Sequence, residues 1–453
     1  MTAPDSTSPP PSLSAVRVAA AVRHAVAAGL LGESSPVAGF VDTEGVRDSV
    51  AALHEAFAGA PGVLHTFAAK AAPLVPVLRL LAKCGMGCEV ASPGELRISL
   101  DAGFAPSKIV LDSPVKTRDE IRRALALGVA LHADNLDEVD RIAALRPADA
   151  VSAIGLRVNP QVGGGSVGAM STATATNGVA LRDPGARERV MEAFAARPWL
   201  SRLRAHVGTQ DCSPELNVAG IGEMYRLAED INSRLGRPQI TCLDIGGGLP
   251  VDFTADTVRP AFAAYATALR GAVPGLFDGR YGLVTEFGRS LMAGNSLIGA
   301  RVEYTKEAGG RRIALTHAGT RTATRTVLTP DAWPPRVGAF DADGLPKAGP
   351  ALVQDIAGPC RFGGDVVAPA RELPELRAGD YVVLSDTGAY LFSTPWACAS
   401  LPRPAVYGFG TAPGAGQDGL TVRFTPVRDA QSLDSIAAES GLAHADALLE
   451  PDA

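Results

Sequence analysis

The sequence predicts an α/β protein: a parallel (β/α)8 barrel of the TIM type followed by a smaller, mostly-β domain. Three observations carry this expectation. From about residue 62, short β-type apolar runs alternate with helical stretches eight times. The alternation stops near residue 290, and after Asn295 β-rich segments separated by Gly, Pro and Asp take over. At 453 residues the chain is also longer than a usual single domain.

In chain order, residues 1–12 (MTAPDSTSPPPS) are Pro- and Ser-rich, with no basic start and no apolar core, and read as a disordered tail and not a signal peptide. Residues 13–40 form an N-terminal segment expected to pack with the β domain. Its Ala-rich stretch 16–31 reads as a surface helix, since Arg17, Arg23 and His24 interrupt any membrane-spanning run. The barrel is assigned to 41–295, with strands at 63–69, 88–90, 109–111, 130–133, 153–158, 203–207, 241–245 and 283–286. Helices lie between them, as at 74–83, where Leu74, Val77, Leu78 and Leu81 share one face and Gly85 is the stop signal. The Gly/Ser/Thr/Ala stretch 163–177 has little to bury and follows the fifth strand, so it is expected to be a mobile catalytic loop. The β domain spans 296–425, with strands at 299–304, 312–316, 353–356 and 381–384, and 426–453 is an acidic, Ala-rich tail with at most a terminal helix.

A formal net charge of −6 with scattered Lys and Arg gives no basic stripe for nucleic acid or anionic lipid, which leaves small molecules as partners. Six cysteines in a chain of this length form neither a disulfide framework nor a zinc spacing, and the seven histidines are dispersed. No metal is expected, and a reducing cytoplasm fits best.

In a barrel of this type the chemistry gathers at the C-terminal strand ends. Lys70 ends the first strand, His206 the sixth, Gly246-Gly247-Gly248 follows the seventh, and Glu286 ends the eighth with Arg289 just beyond. Consecutive glycines let backbone N–H groups converge on an anion, and Arg289 could add a charge-assisted partner; the triplet could equally be a plain tight turn. Lys70 alone could be a salt-bridged polar residue. Glu286 could hold a protonated ring nitrogen or be the ion-pair partner of Arg289.

Taken in order, Phe67-Ala68-Ala69-Lys70-Ala71, the run from Cys88 and Glu89 to Leu96, Arg157-Val158-Asn159-Pro160, His206-Val207-Gly208-Thr209-Gln210, the Gly triplet, Glu286-Phe287-Gly288-Arg289, Gly358-Pro359 and Gly388-Ala389-Tyr390 resemble the successive motifs of the fold-type III decarboxylases that depend on pyridoxal 5′-phosphate (PLP). That family includes diaminopimelate, ornithine and arginine decarboxylases. The resemblance runs from about residue 40 to about 410. It implies a lyase that releases CO2 from an amino acid on a PLP-binding barrel. Lys70 would carry the cofactor as a Schiff base and move protons, His206 would stack on its ring, and Glu286 would face the ring nitrogen. Thr209, Gly246, Gly247, Gly248, Arg289 and Tyr390 would hold the phosphate, with Glu89 and Arg157 also near the cofactor. The family's dimers share active sites, so a homodimer is expected, with the β domain completing the site. A racemase of the alanine type shares the plan but not the second-domain landmarks.

The chain departs from the family at Gly358-Pro359-Cys360-Arg361-Phe362-Gly363-Gly364-Asp365. Arg361 takes the position of the family's protonating Cys, and Cys360 stands one residue early, where a side chain in extended backbone points the other way. Either Cys360 serves after local adjustment or Arg361 has replaced the acid. Phe362 stands where an acidic residue usually receives a distal ammonium. The pattern resembles a branch that includes siderophore-pathway decarboxylases, although Cys398 and Ala399 replace that branch's Phe-Asn. Phe362, Asp365 and Cys398 are thus expected to line an altered substrate pocket suited to specialised, secondary metabolism. Two alternatives stand beside plain decarboxylation: decarboxylation coupled to deamination or transamination, and a non-catalytic PLP-binding homologue.

Overall fold

The computed structural model describes residues 13–163, 176–208, 212–251, 253, 262–331, 333–414 and 419–449. The N-terminal tail, Thr209 and most of the segment 163–177 lie outside the described residues. The chain forms two compact units: Gly45–Asp252 with Arg259–Ala293, and Met1–Glu44 with Phe253–Val258 and Gly294–Ala453.

The strands in chain order are β1 (Val37–Asp42), β2 (Val63–Ala68), β3 (Gly87–Val90), β4 (Ile109–Asp112), β5 (Ala130–Ala133), β6 (Ile154–Asn159), β7 (Val179–Ala180), β8 (Leu200–Arg204), β9 (Cys242–Asp244) and β10 (Gly282–Phe287). Parallel pairing runs β5-β4-β3-β2-β10-β9-β8-β6, and β5 pairs back to β6, so eight strands close into a barrel, with the short β7 attached to β6. Local chemistry starts the helices between them. Ser92 caps Pro93–Ala102 by accepting from the Glu95 N–H at 3.1 Å, and Thr117 and Glu120 form a reciprocal capping box at the head of Arg118–Leu127. Both helices stop at a left-handed glycine, Gly103 and Gly128.

Inward-facing residues recur every second position along a strand. One layer of the barrel interior is apolar, with Val110, Ala130, Cys242 and Val284 packed with Leu64 and Ala153. Two residues further along the same strands stand Asp112, His132, Asp244 and Glu286, each at most 4 % exposed. A polar layer therefore lies directly on an apolar one, toward the strand C-termini.

Two differences from the expected strand boundaries bear on the site. The sixth barrel strand ends at Arg204, not Val207; the Ala205 N–H still bonds the Asp244 carbonyl at 3.0 Å, but the chain then leaves the sheet for a turn with Gly208 at φ +76°. His206 is therefore two residues past the strand. The first barrel strand ends at Ala68, and Lys70 sits in the single 3-10 turn Ala69–Ala71.

In the other unit the remaining strands are β11 (Ser296–Ala308), β12 (Arg311–Thr316), β13 (Val337–Phe340), β14 (Ala351–Ala357), β15 (Val366–Pro374), β16 (Tyr381–Ser385), β17 (Val406–Pro413) and β18 (Leu420–Arg428). They form one sheet in the order β15-β14-β12-β11-β1-β17-β18, with β16 bridging β11 and β13. β1 lies between β11, to which it is antiparallel, and β17, to which it is parallel. The N-terminal helix Leu13–Ala27 is not superficial: Ala21, Val22 and Ala25 are buried against a core that includes Phe40, Leu297, Phe340, Val383 and Phe409. Its small residues allow that close seating. A last helix, Leu433–Glu439, follows β18. Among the described residues no helix is long and apolar enough to cross a membrane.

Candidate active site

The C-terminal strand ends bring a set of ionisable side chains into the barrel mouth. Lys70, its side chain 40 % exposed, places Nζ 3.0 and 3.1 Å from the two carboxylate oxygens of fully buried Glu89 on β3. Burial pushes the Glu89 carboxyl up to about 7 against the pull of the Lys70 ammonium, with Glu286 and Asp112 adding to the rise. Oxygens of Glu89, Asp112 and Glu286 all lie within 4.8 Å of one another. Three carboxylates this close need compensating charge.

Arg204 supplies much of it. Its Nε donates to Glu286 Oε1 at 3.0 Å, and its second terminal nitrogen donates to Glu286 Oε2 and reaches Asp112 Oδ2 at 2.8 Å. Arg157 on β6 reaches the same Asp112 oxygen at 3.3 Å. Burial would raise Asp112, but the two guanidiniums outweigh it and hold the carboxyl well below the usual range. Two carboxylates, Asp112 and Glu286, thus face two guanidiniums, a neutral balance suited to a low-dielectric interior. Asp244 is the exception: burial and the repulsion of Glu286 push its carboxyl well above the usual range. His132 is equally buried, and burial with the nearby Arg204 charge keeps it neutral.

His206 is neutral for the same reasons, burial first and then the charges of Arg204, Arg157 and Lys70. Its Nδ1 accepts from the Gly247 N–H at 3.4 Å, which places the ring proton on Nε2. The Gly triplet is required by packing. Gly246 and Gly248 have φ +65° and +84°, and a Cβ on Gly247 would lie 2.4 Å from the Glu286 carbonyl oxygen. The Gly246 N–H is taken by Asp244 Oδ1 at 2.9 Å and the Gly247 N–H by His206. Two of the three amides expected to bind an anion therefore serve the barrel itself. Arg289 is buried in the short helix Arg289–Met292 after β10, and the partner of Glu286 is Arg204, not Arg289 as one reading of the sequence had it.

A Glu89→Gln substitution isolates the Lys70 pair by pH. A carboxyl raised from 4.5 to about 7 on folding keeps its proton longer in the folded state, so it adds stability at low pH that is lost as pH rises from about 4.5 through 7. The melting temperature of cofactor-free protein, taken as wild type minus Gln variant, is expected to fall across that window and level off above it; a flat difference would show that Glu89 is ionised throughout.

The remaining expected residues belong to the other unit. Tyr390, at φ +62°, stands edge-on to Trp333 with the Arg325 guanidinium 4.9 Å from its ring centroid. Cys360 is buried and hydrogen-bonded to the Cys398 thiol, and burial, Cys398 and Asp365 together push it up to about 12. Arg361 and Phe362, on the turn between β14 and β15, are exposed. Asp365 does not present its carboxylate to a pocket: Oδ1 accepts from the Thr320 N–H and hydroxyl at 2.6 and 2.7 Å, and Oδ2 from the Cys360 N–H at 2.6 Å. It holds the turn, which is why it is buried.

The sequence reading passed over Asp112, His132, Arg204 and Asp244. The signal was present as a polar residue two positions after an apolar one on several barrel strands: Val110 and Asp112, Ala130 and His132, Cys242 and Asp244, Val284 and Glu286.

The donor set fits PLP: a half-exposed amine, a neutral imidazole and a buried carboxylate at the mouth of one barrel. Family models agree. Residues 44–293 match "Pyridoxal-dependent decarboxylase, pyridoxal binding domain" and residues 290–388 match "Pyridoxal-dependent decarboxylase, C-terminal sheet domain". Diaminopimelate decarboxylase of Pseudomonas fluorescens is 33 % identical over 362 residues, covering 76 % of this chain and 82 % of its own. That of Methanothermobacter thermautotrophicus is 28 % identical over 373 residues, covering 81 % and 84 %. The structure of the Helicobacter pylori diaminopimelate decarboxylase, complexed with L-lysine, shares the fold with a TM-score of 0.77 at 22 % identity, covering 90 % of this chain and 97 % of that one. The lysine/ornithine decarboxylase of Vibrio vulnificus, complexed with putrescine, gives 0.72 at 23 % identity, covering 88 % and 99 %. Barrel, site and sequence agree that this chain belongs to the PLP-dependent ornithine/diaminopimelate/arginine decarboxylase family, the carboxy-lyases that act on amino acids.

Proposed function

We propose that the chain decarboxylates an amino acid or amino-acid conjugate in specialised metabolism, as a cytoplasmic homodimer with shared active sites. The observation that carries the reading is the half-exposed Lys70 amine at a barrel mouth whose floor is the buried Glu286 carboxylate. Bound there, PLP supplies an electron-poor ring that accepts the electron pair left when CO2 departs. Lys70 holds the cofactor and moves protons, with Glu89 3.0 Å away as its proton partner. His206, neutral, covers a flat ring without adding charge. Glu286 presents its charge to the ring nitrogen, and Arg157 guards the same rim. Gly248, Arg289 and Thr209 would take the phosphate on the barrel side, and Tyr390 would come from the β domain of a second subunit. Six free cysteines support a reducing compartment.

The exposed pair Arg361 and Phe362 favours a substrate with a distal carboxylate over one with a distal ammonium, because Arg361 offers a guanidinium and Phe362 no counter-charge. The buried position of Cys360 against Cys398 also favours a second outcome. With the thiol turned inward, the proton could be delivered elsewhere and a carbonyl compound released in place of the amine.

Mass spectrometry of products formed in D2O by PLP-loaded protein, from a panel of free and conjugated amino acids, separates these. Loss of CO2 with one deuterium on the amine carbon is expected. Carbonyl products together with pyridoxamine phosphate would establish the second outcome, and cofactor binding without any turnover would overturn both.

A further inference from the structure

Glu286 ends a flexible side chain, and a carboxylate that must meet a ring nitrogen in plane needs its own orientation fixed. The barrel provides for this from two strands away. The Arg204 side chain, 1 % exposed, runs from the end of β8 and grips both Glu286 oxygens through Nε and one terminal nitrogen. This fork-on-fork contact sets the carboxylate plane, which a single point charge cannot do. The same terminal nitrogen also lies 2.8 Å from Asp112 Oδ2 on β4, an oxygen that Arg157 holds in turn. Asp244 closes the arrangement from β9, with a carboxylate oxygen within 4.8 Å of one of Glu286.

We propose that Arg204, anchored by Asp112, is a positioning residue that fixes the plane of Glu286 for its contact with the cofactor ring. The inference rests on the reading of Glu286 given above. The competing account is that Arg204 merely neutralises buried acids, and an ammonium would do that equally well.

Arg204→Lys separates the two, because it keeps the charge and loses the fork. The readouts are the PLP dissociation constant and the pH titration of the absorbance band of Lys70-bound cofactor, measured on wild type, Arg204→Lys, Glu286→Gln and the double variant. Arg204→Lys is expected to weaken PLP binding by about 10-fold or more, the worth of one charge-assisted hydrogen bond, and to shift the band's titration. The double variant should bind no more weakly than Glu286→Gln alone, since the two residues act through one contact. Wild-type affinity and titration in Arg204→Lys, or effects that multiply in the double variant, overturn the proposal. A Glu286→Gln variant that binds and titrates like wild type overturns the reading of Glu286 itself, independently of Arg204. If Arg204→Lys does not fold, Asp112→Asn carries the test: it leaves the grip on Glu286 but removes the acid that anchors Arg204, so PLP should bind more weakly than to wild type, and wild-type affinity and titration would again overturn the proposal.

Discussion

Lys70→Ala is expected to abolish the visible absorbance of bound cofactor and to lower turnover by a factor of about 10⁴ or more, as loss of a covalent catalytic group does. The chain has six lysines, four of them in the barrel unit. Lys116 is buried on Glu138 and the Ser113 carbonyl, Lys83 ends a helix, and Lys108 bonds the Gly85 carbonyl on the outside. Only Lys70 combines partial exposure with a place at the strand C-termini. The variant should still fold. Glu89, left without its ammonium partner, would keep its proton at neutral pH, because burial already holds its carboxyl near 7 with Lys70 present. Absorbance spectra of the loaded variant check the prediction; a persisting band would move the Schiff base to another lysine.

Glu286→Gln is expected to act on rate and stability together. Removing a pre-organised charge next to the reacting system lowers turnover by about 10²–10³-fold. The same change strips Arg204 of one of its two carboxylate partners inside the barrel. Removing one partner of a buried pair costs about 3–5 kcal/mol, and the surviving Asp112 contact places the expected loss near the lower end. Denaturant midpoints and single-turnover CO2 release measure the two effects separately. Unchanged stability would mean that the Arg204–Glu286 contact is offset by solvent entering the barrel.

The barrel was legible because each of its strands is a short apolar run, and helix signals such as Ser92-Pro93 and Gly85 lie between them. Lys70, His206 and Glu286 were legible from their places at or just past apolar runs, and Glu89 and Arg157 only through the resemblance of their motifs. The inner network was not. Asp112 and Asp244 each end an apolar run and read as ordinary punctuation, and only the two-residue stagger between layers shows that they point inward with Glu286. Nor could sequence decide between Cys360 and Arg361, because a turn, unlike a strand, has no fixed alternation. The structure buries Cys360 on Cys398 and leaves Arg361 exposed, a consequence of Asp365 holding the Cys360 amide.

The position of β1 has a consequence in time. Its neighbours on either side are β11 and β17, whose residues Ala300 and Val406 pair with Val37 and Gly39. At a synthesis rate of about 5–20 residues per second, β1 leaves the ribosome roughly 20–70 s before β17 exists. Through that interval the whole barrel is made, and an apolar strand waits with both edges unpaired until β11 arrives and with one edge unpaired until β17 does, exposed to chaperones and to other nascent copies. Expression yield should therefore depend on how fast the second half of the message is read, with slow codons between β11 and β17 lengthening the wait.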